Sequence, residues 1–82
     1  MKIVVSRLEQ YPEDEPTGWA VGFNVVAGNG RSFYVDTVIS FDKADKDEDA
    51  IAVALQGLKK SINSRVTALN KKSALIGSEV SL

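Results

Sequence analysis

Hydrophobic and polar residues alternate through the middle of the chain, in two runs separated by a glycine-rich turn. Every second residue over 19–27 is apolar, and the same period returns over 33–41 with Thr37 as its one polar member. Alternation with a period of two is typical of β-strands that bury one face. The two runs therefore predict two strands, each with one apolar face.

The turn between these strands sets their register. A two-residue turn at Asn29 and Gly30 would point the two apolar faces in opposite directions. A three-residue loop, with Gly30 in the left-handed conformation, instead pairs Val25 with Phe33. Because burial on one face requires the second register, the sequence predicts an antiparallel hairpin with the longer loop.

An earlier strand is predicted over residues 2–8. Ile3 and Val5 share one of its faces under strict alternation, whereas Leu8 falls on the other. Two interpretations remain open at this point. The strand is covered on both faces, or it contains a β-bulge near Ser6.

After the third strand, apolar residues recur at spacings of four and three, the period of an amphipathic helix. The helix is predicted over 47–70, with a length of roughly 36 Å. Acidic residues fill its first turn, where they stabilise the positive end of the helix dipole. The stripe expected to cover the apolar face of the sheet comprises Ile51, Leu55, Leu58, Ile62, Val66 and Leu69.

These elements predict an α+β fold, in which a three-stranded antiparallel meander is followed by one long helix packed on one face of the sheet. Residues 1–82 are enough for a single domain. Alternation returns over 74–82 and is compatible with a short fourth strand, with pairing to a partner chain, or with a loose tail. As a strand, this segment would run parallel to the third strand.

A second stripe on the helix consists only of small residues. Its centre lies roughly 120° around the helix from the centre of the apolar stripe. Small residues at this spacing let two helix backbones approach closely, and a glycine inside a helix costs about 1 kcal/mol relative to alanine. We therefore expect a helix–helix contact between two copies of the chain. The stripe comprises Ala50, Ala54, Gly57, Ser61, Ser64 and Ala68.

An acidic, proline-containing segment lies between the first two predicted strands. Two prolines and four acidic residues within 9–18 predict an exposed loop. Glu13, Asp14 and Glu15 are its candidate docking residues for a basic partner. A solvated connection explains the same charges without any partner.

Composition limits the chemistry of this protein. The chain has no cysteine and no histidine, which excludes disulfides, thiolate nucleophiles, Ser–His pairs, and zinc sites built on these ligands. Its net charge of −1 gives no long-range attraction to nucleic acid or to an anionic membrane. Its apolar runs are too short for a signal peptide or a membrane span. We expect a soluble, cytoplasmic protein with no cofactor.

One pattern resembles a metal-binding loop. Asp45, Asp47 and Asp49 match the first three ligand positions of a calcium loop. The match fails where the loop needs glycine and glutamate, because the chain has Ala50 and Gln56 there. Helix stabilisation explains the same acidic residues, and we expect no bound metal.

We expect a non-enzymatic interaction or assembly module that forms homo-oligomers through the small-residue face of its helix. A nucleic-acid-associated accessory protein is one alternative, because Arg31, Phe33 and Tyr34 combine a basic residue with aromatic ones on a strand. An inhibitor of a host factor, of the kind that phages and mobile elements encode, is another. It would present the acidic loop as a negatively charged decoy. An enzyme is the least expected class, given the missing histidine and cysteine.

Overall fold

The computed structural model describes residues 1–28 and 30–75, with side chains as far as Leu69. Three strands, β1 (Lys2–Tyr11), β2 (Gly18–Val26) and β3 (Ser32–Ser40), precede one helix, α1 (Asp47–Leu75). The strands form a single antiparallel sheet in the order β1-β2-β3, and α1 packs on one of its faces. The predicted α+β architecture of three strands followed by one long helix is confirmed.

The hairpin of β2 and β3 has the predicted register. Val25 lies opposite Phe33, so the apolar faces of both strands point to the same side of the sheet. Gly30 has a φ of 83°, in the left-handed region, and its N–H donates to the carbonyl of Ala27 over 3.0 Å. Asn29, the remaining residue of the predicted loop, lies outside the described residues. The requirement that both strands bury the same face thus selects the longer loop.

β1 contains the bulge that the sequence left open. Its register against β2 shifts between Val5 and Arg7, which leaves Ser6 as the extra residue. As a result Val5 and Leu8 lie on the same face, opposite successive inward-facing positions of β2. The strand also extends to Tyr11, because residues 9–11 pair with β2 instead of forming the start of the predicted loop.

The core lies between the sheet and α1. Its centre is Phe23, which is 1% exposed and is flanked by the fully buried Val21 and Val25 on the same strand. Val35 and Ile39 extend the core onto β3. The inward-facing positions of the hairpin therefore form the floor on which the helix packs.

The helix presents both of its stripes to this floor. Ile62, from the predicted apolar stripe, is buried, and Leu55 and Leu58 are half-buried against the core. In the first turns, however, the fully buried positions are Ala50 and Ala54, from the small-residue stripe. The side of α1 that faces the sheet therefore changes along its length, with small residues buried first and large ones later.

The helix begins at Asp47 as predicted and continues to Leu75, five residues past the predicted end. No glycine or proline interrupts the sequence between Gly57 and Gly77, so nothing in this stretch ends the helix earlier. Ala74 and Leu75, the first residues of the alternating segment for which a fourth strand was one of three interpretations, are helical. The rest of that segment, residues 76–82, lies outside the described residues.

A tryptophan holds the connection between β3 and α1 against the sheet. The indole Nε1–H of Trp19 donates to the carbonyl of Ala44 over 3.1 Å. The Trp19 ring also meets Phe41 edge-on, with the ring centroids 5.7 Å apart. Ala44 is itself buried. These contacts fix the start of the helix close to the end of β3.

Candidate interaction surface

The small-residue stripe does not form one continuous surface. Ala50 and Ala54 are fully buried in the core of their own chain, so neither is available to a partner. They bring the helix backbone close to the sheet, which is the role small residues commonly have at packed faces. The stripe is exposed only farther along the helix, at Gly57, Ser61, Ser64 and Ala68.

Gly57 lies on the exposed part of that stripe. A Cβ atom placed on it would have no neighbour within 4 Å. Packing within the described part of the chain therefore gives no reason for glycine at this position.

In the described part of the chain, the core is left open on β1. Val5 and Leu8 point to the helix side of the sheet, yet they remain 42% and 36% exposed. The helix packs mainly on β3 and β2 and meets β1 only marginally. A helix about 10–12 Å across covers about two strands spaced about 4.8 Å apart, so a third strand is left open. We refer to the inward-facing apolar residues of this strand, Ile3, Val5 and Leu8, as the β1 strip.

The β1 strip leads into a groove between β1 and α1. Ile3 forms part of this groove, which has a volume of about 270 Å³. Leu55 and Ile62 line its helix side, and the exposed Met1 also lines the groove. Lys59 places an amine on the helix rim. The strip and the groove together make an apolar surface along one edge of the molecule, with a positive charge beside it.

Sequence reasoning did not identify the β1 strip as a site. Under strict alternation Val5 and Leu8 fall on opposite faces, and only the bulge at Ser6 brings them together. The bulge was one of two interpretations that the sequence allowed. How far the helix extends over the sheet is a tertiary property with no signal in the strand itself.

The opposite face of the sheet carries polar contacts across its centre. The side chain of Tyr34 lies over Gly22, where any Cβ would collide with the ring. Arg7 donates from Nε to Oε1 of Glu9 over 2.6 Å and approaches Asp36 to within 3.9 Å. The hydrogen bond and the charge of Glu9 raise the pKa of the Arg7 guanidinium above its ordinary value.

Charged groups interrupt the apolar residues of this open face. Val4 and Val38 are exposed there, at 43% and 54%, as is the ring of Tyr34. Arg7 and Asp36 lie between them in the row centred on Gly22. The open face is therefore mixed in character, whereas the β1 strip is continuous with the core.

Acidic residues collect at one end of the molecule. The loop 12–17, which carries Glu13, Asp14 and Glu15 in exposed positions, lies beside the connection from β3 to the helix, because Phe41 N–H donates to the carbonyl of Thr17 over 3.0 Å. The connection and the first helical turn add five more acidic side chains. These are Asp42, Asp45, Asp47, Glu48 and Asp49.

The other end of the molecule is basic. Lys2 pairs with Val26 beside the hairpin loop, and Lys59 lies on the rim of the groove at the same end. Arg31 precedes β3 there, and Arg65 reaches the start of that strand. The described residues of this end include no acidic side chain. The small net charge of the chain thus conceals a strong separation of charge along the strands.

Arg65 is held by its own chain. Its guanidinium stacks over the half-buried ring of Phe33, 4.3 Å from the centroid, and its Nη1–H donates to the main-chain oxygen of Tyr34 over 3.3 Å. This contact covers part of the start of β3. It also covers the ring of Phe33, one of the two aromatic residues that the nucleic-acid interpretation uses on this strand.

In residues 1–28 and 30–75, no three or more acidic side chains are grouped so that they could hold a metal ion. No helix in the same part of the chain combines the length and the apolar composition needed to cross a membrane. Comparison of the chain with protein-family models, with curated proteins and with solved structures finds no match.

Proposed function

We propose that this protein is a non-enzymatic interaction module that associates with a second copy of itself through the β1 strip. The observation that carries the proposal is the exposure of Val5 and Leu8 on the face of the sheet that elsewhere forms the core. A domain of this size buries only about 60–65% of the surface that its unfolded chain exposes. Association along β1 would cover part of the apolar area that the chain's own helix leaves open.

Charge favours a second copy as the partner. The molecule is acidic at one end and basic at the other, so two copies lying in opposite directions are complementary. A two-fold dimer uses the same patch on both subunits. The β1 strip runs between the two charged ends, and such an arrangement would bring the strips of the two copies into contact.

Two neighbouring valines provide a matched test. Val4 and Val5 have the same side chain and nearly equal exposure, 43% and 42%, but they point to opposite faces of β1. We expect sedimentation equilibrium of the full chain to show a dimer. Val5→Asn removes about 1 kcal/mol of apolar burial from each copy, which raises the dimer Kd by roughly 30-fold. Val4→Asn should raise the Kd less, by no more than about three-fold, because this side chain lies on the mixed open face and not in the β1 strip.

Circular dichroism of both variants checks that they are folded. A wild-type chain that stays monomeric at all accessible concentrations would overturn the proposal, as would equal effects of the two asparagine substitutions. Gly57→Glu supplies a further comparison. If it dissociates the dimer and Val5→Asn does not, the contact lies on the exposed small residues of the helix and the β1 strip is not the interface.

A further inference from the structure

Besides the exposed β1 strip, the same strand has an outer edge whose main-chain hydrogen-bonding groups are not paired with another strand in the described part of the chain. In the described part of the chain β1 pairs on one side only, with β2. An edge strand presents a row of free N–H and C=O groups that another strand can pair with. At ten residues, β1 is long for an exposed edge. The β1 strip and this edge lie on the same strand, so one partner can satisfy both.

Because of the bulge, the sequence of helix-facing and open-facing positions along β1 is the same when it is read outward in either direction from the point between Ser6 and Arg7. Positions 3, 5, 8 and 10 face the helix side, whereas 2, 4, 7, 9 and 11 face the open side. Antiparallel pairing with a second β1 about an axis between Ser6 and Arg7 joins positions whose numbers sum to 13. Val5 then lies opposite the partner's Leu8, and Val4 lies opposite the partner's Glu9. Each pair shares a face, so the two strips become continuous.

In this register the bulges of both copies fall at the two-fold axis. The ladder is interrupted once, at its centre, and regular strand remains on each side of the interruption. Shifting the register by one residue would set inward positions against outward ones along the whole strand. A shift by two residues, in which the position numbers sum to 11, keeps the faces together but pairs only eight residues of each strand. The register centred between Ser6 and Arg7 pairs all ten residues of β1 and is therefore favoured.

Charge selects the antiparallel direction. Lys2 at the start of β1 and Lys59 on the groove rim lie at the basic end, and the partner's acidic loop, with Glu13 and Asp14, would lie beside them. Parallel pairing would instead bring the acidic end of one copy against the acidic end of the other. Like charges brought together oppose association, whereas complementary ends speed encounter and fix register.

The other edge of the sheet is less suited to this pairing. At the start of β3, Arg65 already donates to the main-chain oxygen of Tyr34 and stacks on Phe33. The helix packs more extensively on β3 than on the other two strands. The inward-facing Val35 and Ile39 are already buried, so pairing at this edge would cover little additional apolar area.

We infer that two copies join β1 to β1 in antiparallel orientation, centred between Ser6 and Arg7, to form a six-stranded sheet with both helices on one face. This inference rests on the proposed self-association and specifies its geometry. The two β1 strips then lie side by side between the helices, where Val5 and Leu8 of one copy cover part of the other copy's strip, and each acidic end lies beside the basic end of the other copy.

The absence of cysteine makes disulfide trapping a direct test. Val4→Cys and Glu9→Cys are prepared as separate full-length variants, mixed in equal amounts and mildly oxidised. The proposed register brings these positions opposite each other, within the roughly 4.5–5.5 Å between Cα atoms of directly opposed residues, a separation a disulfide can bridge. The same position in both copies would be about 17 Å apart along the strand. We expect the mixture to form covalent dimers about ten-fold faster than either variant alone.

The failure of this geometry is distinguishable from failure of the proposed function. A wild-type dimer by sedimentation, with no preferential cross-linking in the mixture, would overturn the inference and leave self-association standing. Faster cross-linking of Val4→Cys with itself would also overturn it, because that result requires a different register. A wild-type monomer would overturn both.

A pair of charge reversals tests the direction of pairing. Lys59→Glu and Lys46→Glu change the net charge equally, but Lys59 lies by the basic end and Lys46 beside the first turn of α1, at the acidic end. We expect Lys59→Glu to raise the dimer Kd by roughly three-fold at low salt. Lys46→Glu should leave the Kd unchanged or lower it. Equal increases for both variants would contradict the antiparallel arrangement.

Discussion

The helix-facing sides of β1 and β3 carry similar aliphatic residues but lie in different environments. On β3 the inward-facing Val35 and Ile39 are 7% and 8% exposed. On β1 the inward-facing Val5 and Leu8 are 42% and 36% exposed. All four are aliphatic side chains on the same face of one sheet. The difference is whether the helix lies above them.

The connection to the helix explains which strand is covered. Six residues, 41–46, join β3 to α1, and Trp19 holds this segment to the sheet through Ala44 and Phe41. The helix therefore starts close to β3 and lies over the hairpin. One helix covers about two strands, so the strand farthest from the connection is left open. The comparison shows that burial here depends on connection length and helix width as well as on the alternation of the strand.

The largest expected effect is a difference in the free energy of unfolding between a substitution in the covered region and one in the uncovered region. Phe23→Ala empties the centre of the core, where the side chain is 1% exposed, and should lower the free energy of unfolding by about 3–5 kcal/mol. Leu8→Ala removes a side chain that already meets solvent, and should cost about 1 kcal/mol. Urea unfolding of samples dilute enough to be monomeric measures both. Equal losses would mean that β1 is as fully packed as the hairpin.

A second effect distinguishes the two halves of the small-residue stripe. Ala54 is fully buried between helix and sheet, so Ala54→Leu should overpack the core and lower the free energy of unfolding by about 1–3 kcal/mol. Ala68 is exposed on the same stripe, and Ala68→Leu should change it by less than about 0.5 kcal/mol. Thermal and urea unfolding report both. A costly Ala68→Leu, or a harmless Ala54→Leu, would contradict this division of the stripe.

Sequence reasoning works best here where the local rules allow one answer. The register of the hairpin follows from the alternation of faces along its strands, because only the longer loop buries Val25 and Phe33 on one face. Gly30 has the left-handed conformation that this loop requires. The start of the helix follows from the acidic residues that begin at Asp47. The predicted end of the helix at residue 70 is five residues short of the observed end at Leu75, because this stretch has no strong stop signal.

The candidate surface could not be predicted from the sequence, for physical reasons. Two adjacent stripes on α1 have the same helical period, so periodicity alone cannot say that Ala50 and Ala54 face the sheet. The β1 strip requires both the bulge at Ser6 and the position of the helix, and the second is a tertiary property. The charge separation likewise appears only when the topology brings the 12–17 loop beside the start of the helix.

The smallest expected effect concerns Gly57, at which the exposed part of the small-residue stripe begins. Since a Cβ there meets nothing within 4 Å, Gly57→Ala should raise the free energy of unfolding of the monomer by about 0.5–1 kcal/mol through helix propensity alone. Ala52→Gly, at another exposed position of α1, is the matched control and should lower it by a similar amount. Urea unfolding of dilute samples gives both values, and sedimentation gives the Kd of each variant. If Gly57→Ala stabilises the monomer and leaves the Kd unchanged, the exposed helix face takes no part in the dimer. A weakened dimer would instead show a close contact at Gly57 and would argue against β1 as the whole interface.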